Sequence, residues 1–176
     1  MRILNRRGFK NVSTYDIQPQ QIRYVAGLTR LFDLLSTVPG HLLEVGTGSG
    51  RNALILGELI RNQSQDEYRR YFGFDTFGGY TELDLESSKH LDPQAHIYSE
   101  KECLDRIARA GLQDICHVIP GDVVETLPQF LETPPPGTKF SPSFLKLALV
   151  YIDCNSYRAA KFTLDACTPY LSPGAV

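Results

Sequence analysis

LLEVGTGSGRNALIL, residues 42–56, places three glycines between two apolar runs, with an acid just upstream. Glu44 is followed by Gly46, Gly48 and Gly50, which gives the pattern E-x-G-x-G-x-G. Glycine adopts positive φ angles without strain and lets backbone amides approach a ligand closely. The stretch therefore predicts a strand, a tight turn that binds a ligand, and a helix. A turn that serves only the packing of the strand against the helix is the alternative.

The spacing of these glycines differs from that of the dinucleotide-binding fingerprint, G-x-G-x-x-G. The third glycine comes one residue early, and Arg51 stands where the fingerprint has glycine. A cofactor without a pyrophosphate has less need of a helix N-terminus that is kept clear for phosphate. The turn suits the amino-acid portion of such a cofactor, and a nearby carboxylate helps to hold a cationic ligand. An NAD-dependent oxidoreductase is therefore disfavoured.

Strand and helix patterns alternate at least three times along the chain. Strands are predicted at 41–45, 69–75, 115–122 and 144–153, and helices at 51–62, 99–111, 123–133 and 156–171. This order predicts an α/β fold: a Rossmann-like, three-layer open sheet that is mainly parallel. Residues 76–98 carry few apolar anchors and are interpreted as a long loop or a partly helical lid.

An amphipathic helix is predicted before the first strand, over residues 20–36. Its apolar positions recur at helical spacing: Ile22, Val25, Leu28, Leu31, Phe32 and Leu35. The chain therefore divides into residues 1–38, an N-terminal arm with this helix, and residues 39–176, one Rossmann-like domain.

The composition argues against several classes of partner. The chain has 18 basic and 20 acidic residues and a net charge of −2, so no nucleic acid or anionic membrane is expected as its main partner. The arginine pair Arg69-Arg70 is expected to lie on an ordinary solvated surface. Four cysteines without close spacing suggest reduced thiols, and no signal peptide or spanning segment is visible. The sequence thus predicts a cytoplasmic protein.

Acidic residues end each of the four predicted strands: Glu44, Asp75, Asp122 and Asp153. Parallel strands bring their carboxyl ends to one edge of the sheet, where open α/β sheets bind ligands. An acid at the end of the second strand can accept hydrogen bonds from vicinal ribose hydroxyls, although Asp75 also fits an exposed turn. Asp122 fits either the N-cap of the following helix or a contact with an adenine edge.

Four blocks of the sequence resemble the class I S-adenosylmethionine-dependent methyltransferases, and within them the macrocin O-methyltransferase (TylF-like) group. They are VPGHLLEVGTGSGRNALIL, FGFDTFGG, GDVVETLP and LALVYIDCNSY with LDACTPYLSPGA, and the likeness covers roughly residues 36–176. The resemblance implies methyl transfer from S-adenosylmethionine to a hydroxyl of a small molecule, a sugar or natural product. It implies these cofactor-binding residues: Glu44, Gly46, Thr47, Gly48, Ser49, Gly50, Asp75, Thr76, Phe77, Asp122 and Asp153.

The resemblance also implies a magnesium ion at the end of the fourth strand. The metal acid of the family matches Asp153, which is also the candidate catalytic residue, because it can take the proton of the acceptor hydroxyl. Asn155 stands where the family usually has a second acid, and it offers only an uncharged oxygen to Mg²⁺. A catalytically impaired domain that binds the cofactor or a partner is therefore the alternative function.

Two further acids of the family follow on a fifth strand, which would lie beyond Val176. The sequence thus predicts a C-terminally incomplete sheet, with four strands and at most the beginning of a fifth. A second copy of the chain is a candidate to cover the open edge. In the lid, His90 and His96 are candidate bases, although surface positions fit them better, while His117 within the third strand is expected to be structural.

Overall fold

The computed structural model describes residues 19–133 and 145–176. The predicted arm at 1–18 and the first residue of the strand predicted at 144–153 lie outside the described residues. Four strands form one parallel sheet: β1 His41–Val45, β2 Tyr71–Asp75, β3 Cys116–Pro120 and β4 Leu147–Ile152. The helices are α1 Pro19–Leu34, α2 Arg51–Asn62, α3 Glu82–Ser87, α4 Glu100–Arg109, α5 Val123–Glu132 and α6 Tyr157–Cys167. The predicted mainly parallel α/β fold is confirmed.

The sheet has a helical layer on each face, because side chains along a strand alternate between its two sides. Leu42 of β1 packs in a cluster with buried side chains of α1, α2 and α4. Its neighbour Leu43 packs on the opposite face with buried side chains of α5 and α6. The three-layer prediction is therefore confirmed.

The strand order is β3-β2-β1-β4. The chain thus builds outward from β1 to β3, then returns to place β4 on the other side of β1. A ligand crevice forms where the strand order reverses in this way, outside the carboxyl ends of the strands. This topology places the candidate site above the ends of β1 and β4.

Helix α1 packs with only part of the apolar face that its sequence predicts. Leu28, Phe32 and Leu35 are buried, whereas Ile22 is 57% and Val25 44% exposed. The predicted helix is present, and part of its apolar stripe faces the core. Only the C-terminal half of the helix carries fully buried side chains, and in its second turn the half-buried Tyr24 donates a hydrogen bond to Asn52.

The surface prediction for Arg69-Arg70 is also wrong, since Arg69 is 1% and Arg70 8% exposed. The Arg69 guanidinium donates to the carbonyls of Leu35 and Val38, at 3.1 and 2.5 Å. These carbonyls lie in the turn that follows α1, and the carbonyl of Leu35 also accepts from the amide of Val38 at 3.0 Å. The buried guanidinium thus binds the turn after α1, and it also lies over the ring of Phe32, 5.6 Å from the centroid.

The outer edge of β4 is partly paired. The amide of Val150 donates to the carbonyl of Val176 at 2.9 Å, and the amide of Val176 donates to Ala148 at 3.1 Å. A second copy of the chain on this edge stays a prediction. None of the helices in the described ranges has the length and apolar character needed to cross a bilayer. The cytoplasmic location stays a prediction too.

Candidate active site

The glycine turn, residues 46–50, brings the end of β1 against the end of β4. Gly46 has φ +98°, and a Cβ built on it would lie 2.2 Å from the carbonyl oxygen of Asp153. Gly46 also donates its amide to the carbonyl of Phe74 at 2.9 Å. Only glycine fits this backbone conformation and this close approach. The residue type at position 46 therefore allows the ends of the two central strands to approach closely.

Asp75, at the end of β2, is oriented by two backbone amides. Its Oδ2 accepts from the amide of Gly48 and its Oδ1 from the amide of Phe77, each at 2.7 Å. A carboxylate oxygen has a second lone pair, so both oxygens can still accept hydrogen bonds from a ligand. The carboxylate is thus aimed into the cleft with spare acceptor capacity.

A cleft of about 360 Å³ opens above the carboxyl ends of the strands, a volume within the range of small-molecule sites. It brings together most of the residues predicted for the site. Its lining includes Gly46, Thr47, Gly48, Ser49, Asp75, Thr76, Asp122, Asp153 and Asn155. The acids at the ends of β2, β3 and β4 therefore converge on one cavity.

Glu44 lies beneath the cleft and is only 1% exposed. Its Oε1 accepts from Nδ2 of Asn52 at 2.5 Å, and its Oε2 accepts from the hydroxyl of Tyr71. Burial raises the pKa of the Glu44 carboxyl to about 7, although the hydrogen bonds from Tyr71 and Asn52 oppose this shift. Asn52 itself lines the cleft. Glu44 therefore reaches the cavity through Asn52, and its predicted direct cofactor contact stays a prediction.

Two other predicted cofactor residues also lie outside the cavity lining. Phe77 is 6% exposed, has φ +57°, and packs in the core cluster while its amide holds Asp75. Gly50 precedes α2 with φ +80°, and a Cβ there would lie 2.8 Å from Sγ of Cys103. Both residues shape the backbone around the cleft, and their contact with a cofactor stays a prediction.

Asp122 caps α5, which was one of the two predicted roles. Its Oδ1 accepts from the amide of Val124 at 3.0 Å, and its Oδ2 pairs with Nη2 of Arg158 at 2.9 Å. The side chain also lines the cleft, beside Val123. A contact with an adenine edge stays a prediction.

The lid, residues 76–98, is closed at its ends by an antiparallel bridge between Gly78 and Ile97. In its middle, Asp84 accepts from Ser156 at 2.6 Å and from Arg158 at 3.4 Å. Burial alone raises the pKa of Asp84, but hydrogen bonds from Ser156, Thr81 and Arg158 outweigh it, so the pKa lies below its ordinary value. The short helix α3 is thereby fixed to the start of α6.

The inner surface of the lid is aromatic. Tyr80, His96 and Tyr98 line the cleft, with ring centroids 5.6 Å apart for Tyr80–His96 and 6.4 Å for His96–Tyr98. His90 does not line the cleft. His117 stacks on Phe72 at 5.5 Å and its burial lowers its pKa, which agrees with a structural role.

Asp153 and Asn155 follow β4 and line the cleft, but they make a poor magnesium site. Asp153 supplies one carboxylate, and Asn155, at φ +56°, is hydrogen-bonded to Tyr80. Within residues 19–133 and 145–176, no three His, Cys, Asp or Glu side chains cluster in a way that could hold a metal ion. Mg²⁺ favours anionic oxygen ligands. The described residues therefore give the magnesium prediction no support.

Sequence analysis did not select several residues that line or support the cleft: Tyr24, Asn52, Asp84, Ser156 and Arg158. Asp84 had a local signal, because Thr81 and Asp84 form a reciprocal capping box at the start of α3. Arg158 had none, since its partners lie far away in the sequence.

Comparison with known proteins agrees with this geometry. The sequence profile of the family described as Methyltransferase domain matches residues 43–176. No curated protein matches the chain by sequence.

Solved structures with a similar fold include CalS11, a calicheamicin methyltransferase, at 26% identity and TM-score 0.69 over 90% of this chain and 63% of that one. An apo structure of CalS11, described as a TDP-rhamnose 3′-O-methyltransferase, matches at 26% identity and TM-score 0.64, over 90% and 62%. The O-methyltransferase NovP shares the fold at 19% identity and TM-score 0.62, over 86% and 61%. The chain thus spans about three fifths of the length of these proteins.

Proposed function

Because the chain belongs to the family of methyltransferase domains, we propose that it binds S-adenosylmethionine in the cleft and transfers its methyl group to a hydroxyl of a small molecule. One observation carries the proposal. The glycine turn and the acids Asp75, Asp122 and Asp153 line a single cavity at the reversal point of a parallel sheet. Ligands of open α/β sheets bind at this place.

The cofactor contacts follow from the positions of these groups. Asp75 accepts hydrogen bonds from the two ribose hydroxyls with the lone pairs that Gly48 and Phe77 leave free. The methionyl part lies at the glycine turn, and the adenine lies toward Asp122 and Val123. The acids of the lining favour the positive charge of the sulfonium and ammonium groups.

The chemical step needs alignment more than activation. The acceptor oxygen attacks the methyl carbon, the carbon–sulfur bond breaks, and its electron pair stays on sulfur, which leaves S-adenosylhomocysteine. Asp153 takes the proton of the acceptor hydroxyl. Holding the two reactants in line supplies several kcal/mol of the barrier. No step of the proposal passes through a metal ion.

The acceptor class is proposed to be a sugar or another natural-product hydroxyl, as in the macrocin O-methyltransferase (TylF-like) group. CalS11, at 26% identity, is described as acting on TDP-rhamnose, which supports a sugar acceptor. The alternative is a domain that binds the cofactor with impaired catalysis, and Asn155 in place of a second acid favours it.

Calorimetric titration tests the proposal, with S-adenosylmethionine, S-adenosylhomocysteine and NAD as ligands. Both sulfur nucleotides are expected to bind, and Asp75→Asn is expected to weaken both by about tenfold, because one acceptor loses its charge. Binding of NAD alone would rule the proposal out. Binding of the sulfur nucleotides without methyl transfer to any of a panel of sugar acceptors would favour the alternative.

A further inference from the structure

The cleft has an unequal balance of charge. Four carboxylates line it, from Asp75, Asp84, Asp122 and Asp153, and Arg158 pairs with two of them, Asp84 and Asp122. Arg51 is the single arginine or lysine among the lining residues of the described chain. The cofactor of the proposed function carries two positive groups, a sulfonium and an ammonium, and one carboxylate. Acids can pair with the positive groups, but the carboxylate needs a cation.

Arg51 is placed to supply that cation. It is the first residue of α2, directly after the glycine turn, where the helix dipole also favours an anion. Its guanidinium lies over the ring of Tyr24, 4.2 Å from the centroid. Within the described ranges no residue accepts a hydrogen bond from this guanidinium, so its donors are available to a ligand.

Tyr24 is itself fixed by hydrogen bonds. Its hydroxyl donates to Oδ1 of Asn52 at 2.6 Å and is also hydrogen-bonded with Tyr151 of β4. Asn52 in turn is held by the buried Glu44. The aromatic ring over Arg51 is thereby tied to β1, β4 and α2 at once.

We propose that Arg51 binds the carboxylate of the methionyl part of the cofactor, and that Tyr24 of α1 is the residue that positions Arg51. The inference rests on the proposed function, because it assigns a subsite within the same cleft. It also brings α1 into the site, although this helix precedes residues 43–176, the region that the family profile matches.

Two ligands separate the amino-acid portion from the nucleoside. S-adenosylhomocysteine carries the carboxylate, whereas 5′-methylthioadenosine has the same nucleoside and sulfur without the amino acid. Arg51→Gln is expected to weaken S-adenosylhomocysteine about tenfold in calorimetric titration and to leave 5′-methylthioadenosine unchanged. Arg61→Gln, at the other end of α2, is the matched control and should change neither affinity.

The outcomes distinguish this inference from the proposed function. No loss for S-adenosylhomocysteine, or an equal loss for both ligands, overturns the assignment of Arg51. If the unaltered protein binds neither ligand, the proposed function itself is wrong and the subsite falls with it. Thermal unfolding of each variant checks that it is folded.

A double-mutant cycle tests the positioning role of Tyr24. Tyr24→Leu is expected to weaken S-adenosylhomocysteine about threefold in the unaltered protein, and to add no loss in the Arg51→Gln background. Tyr24→Phe keeps the ring over Arg51 and should stay within about twofold of the unaltered protein. The same loss from Tyr24→Leu in both backgrounds would mean that Tyr24 does not act through Arg51.

Discussion

The glycine turn and the lid form two walls of the same cleft, but different kinds of contact hold them. In the turn, backbone meets backbone: Gly46 lies against the carbonyl of Asp153, and Gly48 donates its amide to Asp75. In the lid, side chains from distant elements meet, because Asp84 is held by Ser156 and Arg158 of the α6 region. The turn therefore depends on the absence of side chains, and the lid on the presence of particular ones.

The largest expected effect lies in the turn. Gly46→Ala should lower the free energy of unfolding by about 3–4 kcal/mol, because it adds strain at a positive φ and an overlap with the carbonyl of Asp153. Gly78→Ala in the lid is the matched control, since the nearest atom to its added Cβ is 3.8 Å away and its effect should stay within about 0.5 kcal/mol. Urea unfolding measures the free energy of both variants. Equal losses would contradict the idea that the turn, and not the lid, depends on the absence of a side chain.

The second prediction uses the opposite pKa shifts of the two regions. Glu44, beneath the turn, has a folded pKa of about 7 against an ordinary 4.5, so the folded state binds more protons between these values. Stability therefore falls as the pH rises from 4.5 through 7, and levels off above it. Glu44→Gln removes this slope, so the variant should gain up to about 3 kcal/mol relative to the unaltered protein between pH 4.5 and pH 8.

In the lid, the contribution of Asp84 to stability should change with pH in the opposite direction. The folded pKa of Asp84 lies below 3.8, so its contribution is present above that pH and is lost as the pH falls through the folded pKa. His41, whose burial lowers its pKa to about 4, acts on the unaltered protein and on Glu44→Gln alike and cancels in their difference. Urea unfolding at several pH values checks the prediction, and a flat difference between the two proteins would contradict it.

The third prediction concerns the ion pairs of Arg158 with Asp84 in the lid and with Asp122. Arg158→Leu should lower the free energy of unfolding by about 1–3 kcal/mol, because it leaves Asp84 and Asp122, both largely buried, without their cation. Lys161→Met on the same helix removes an exposed pair with Asp165 and should change the free energy of unfolding much less than Arg158→Leu. Hydrogen exchange should rise in α3 of Arg158→Leu, and unchanged exchange there would mean that Arg158 does not fix the lid.

The smallest effect is expected at Tyr80, on the inner surface of the lid. Tyr80→Phe removes the hydrogen bond with Asn155, which is exposed, so the free energy of unfolding should fall by no more than about 0.5 kcal/mol. Thermal unfolding measures the change. A loss as large as that of Arg158→Leu would show that Tyr80 anchors the lid as strongly as Arg158 does.

The difference between local backbone contacts and long-range side-chain contacts also decides which parts of the structure could be predicted from the sequence. The strands and the glycine turn follow from sequence patterns within about fifteen residues, and the alternation of strands with helices predicts a parallel sheet. The positions of the acids at one edge of the sheet follow from this topology. Asp84 and Arg158 are 74 positions apart, and no local pattern pairs them. Arg69 was misassigned for the same reason, because its acceptors at Leu35 and Val38 lie more than thirty positions earlier.

Of the acids predicted at the strand ends, those after β2, β3 and β4 line the cleft, whereas the one in β1 does not. Asp75, Asp122 and Asp153 reach the cleft because each follows a strand. Glu44 also ends a strand, but it points beneath the cavity, where Asn52 and Tyr71 surround it. A strand end fixes the position of a residue, whereas its side-chain direction depends on partners elsewhere in the fold.

The two amides on Asp75 have a consequence for ligand recognition. One comes from Gly48 in the turn and the other from Phe77 in the lid, so this carboxylate is a joint between both walls. The two amides fix the rotamer of Asp75 before a ligand binds. Binding of a diol then avoids the entropy cost of ordering this side chain, roughly 0.5–1.5 kcal/mol. The site is therefore preorganised at this point. A change in the position of either the glycine turn or the lid would shift the Asp75 carboxylate and, through it, the other segment.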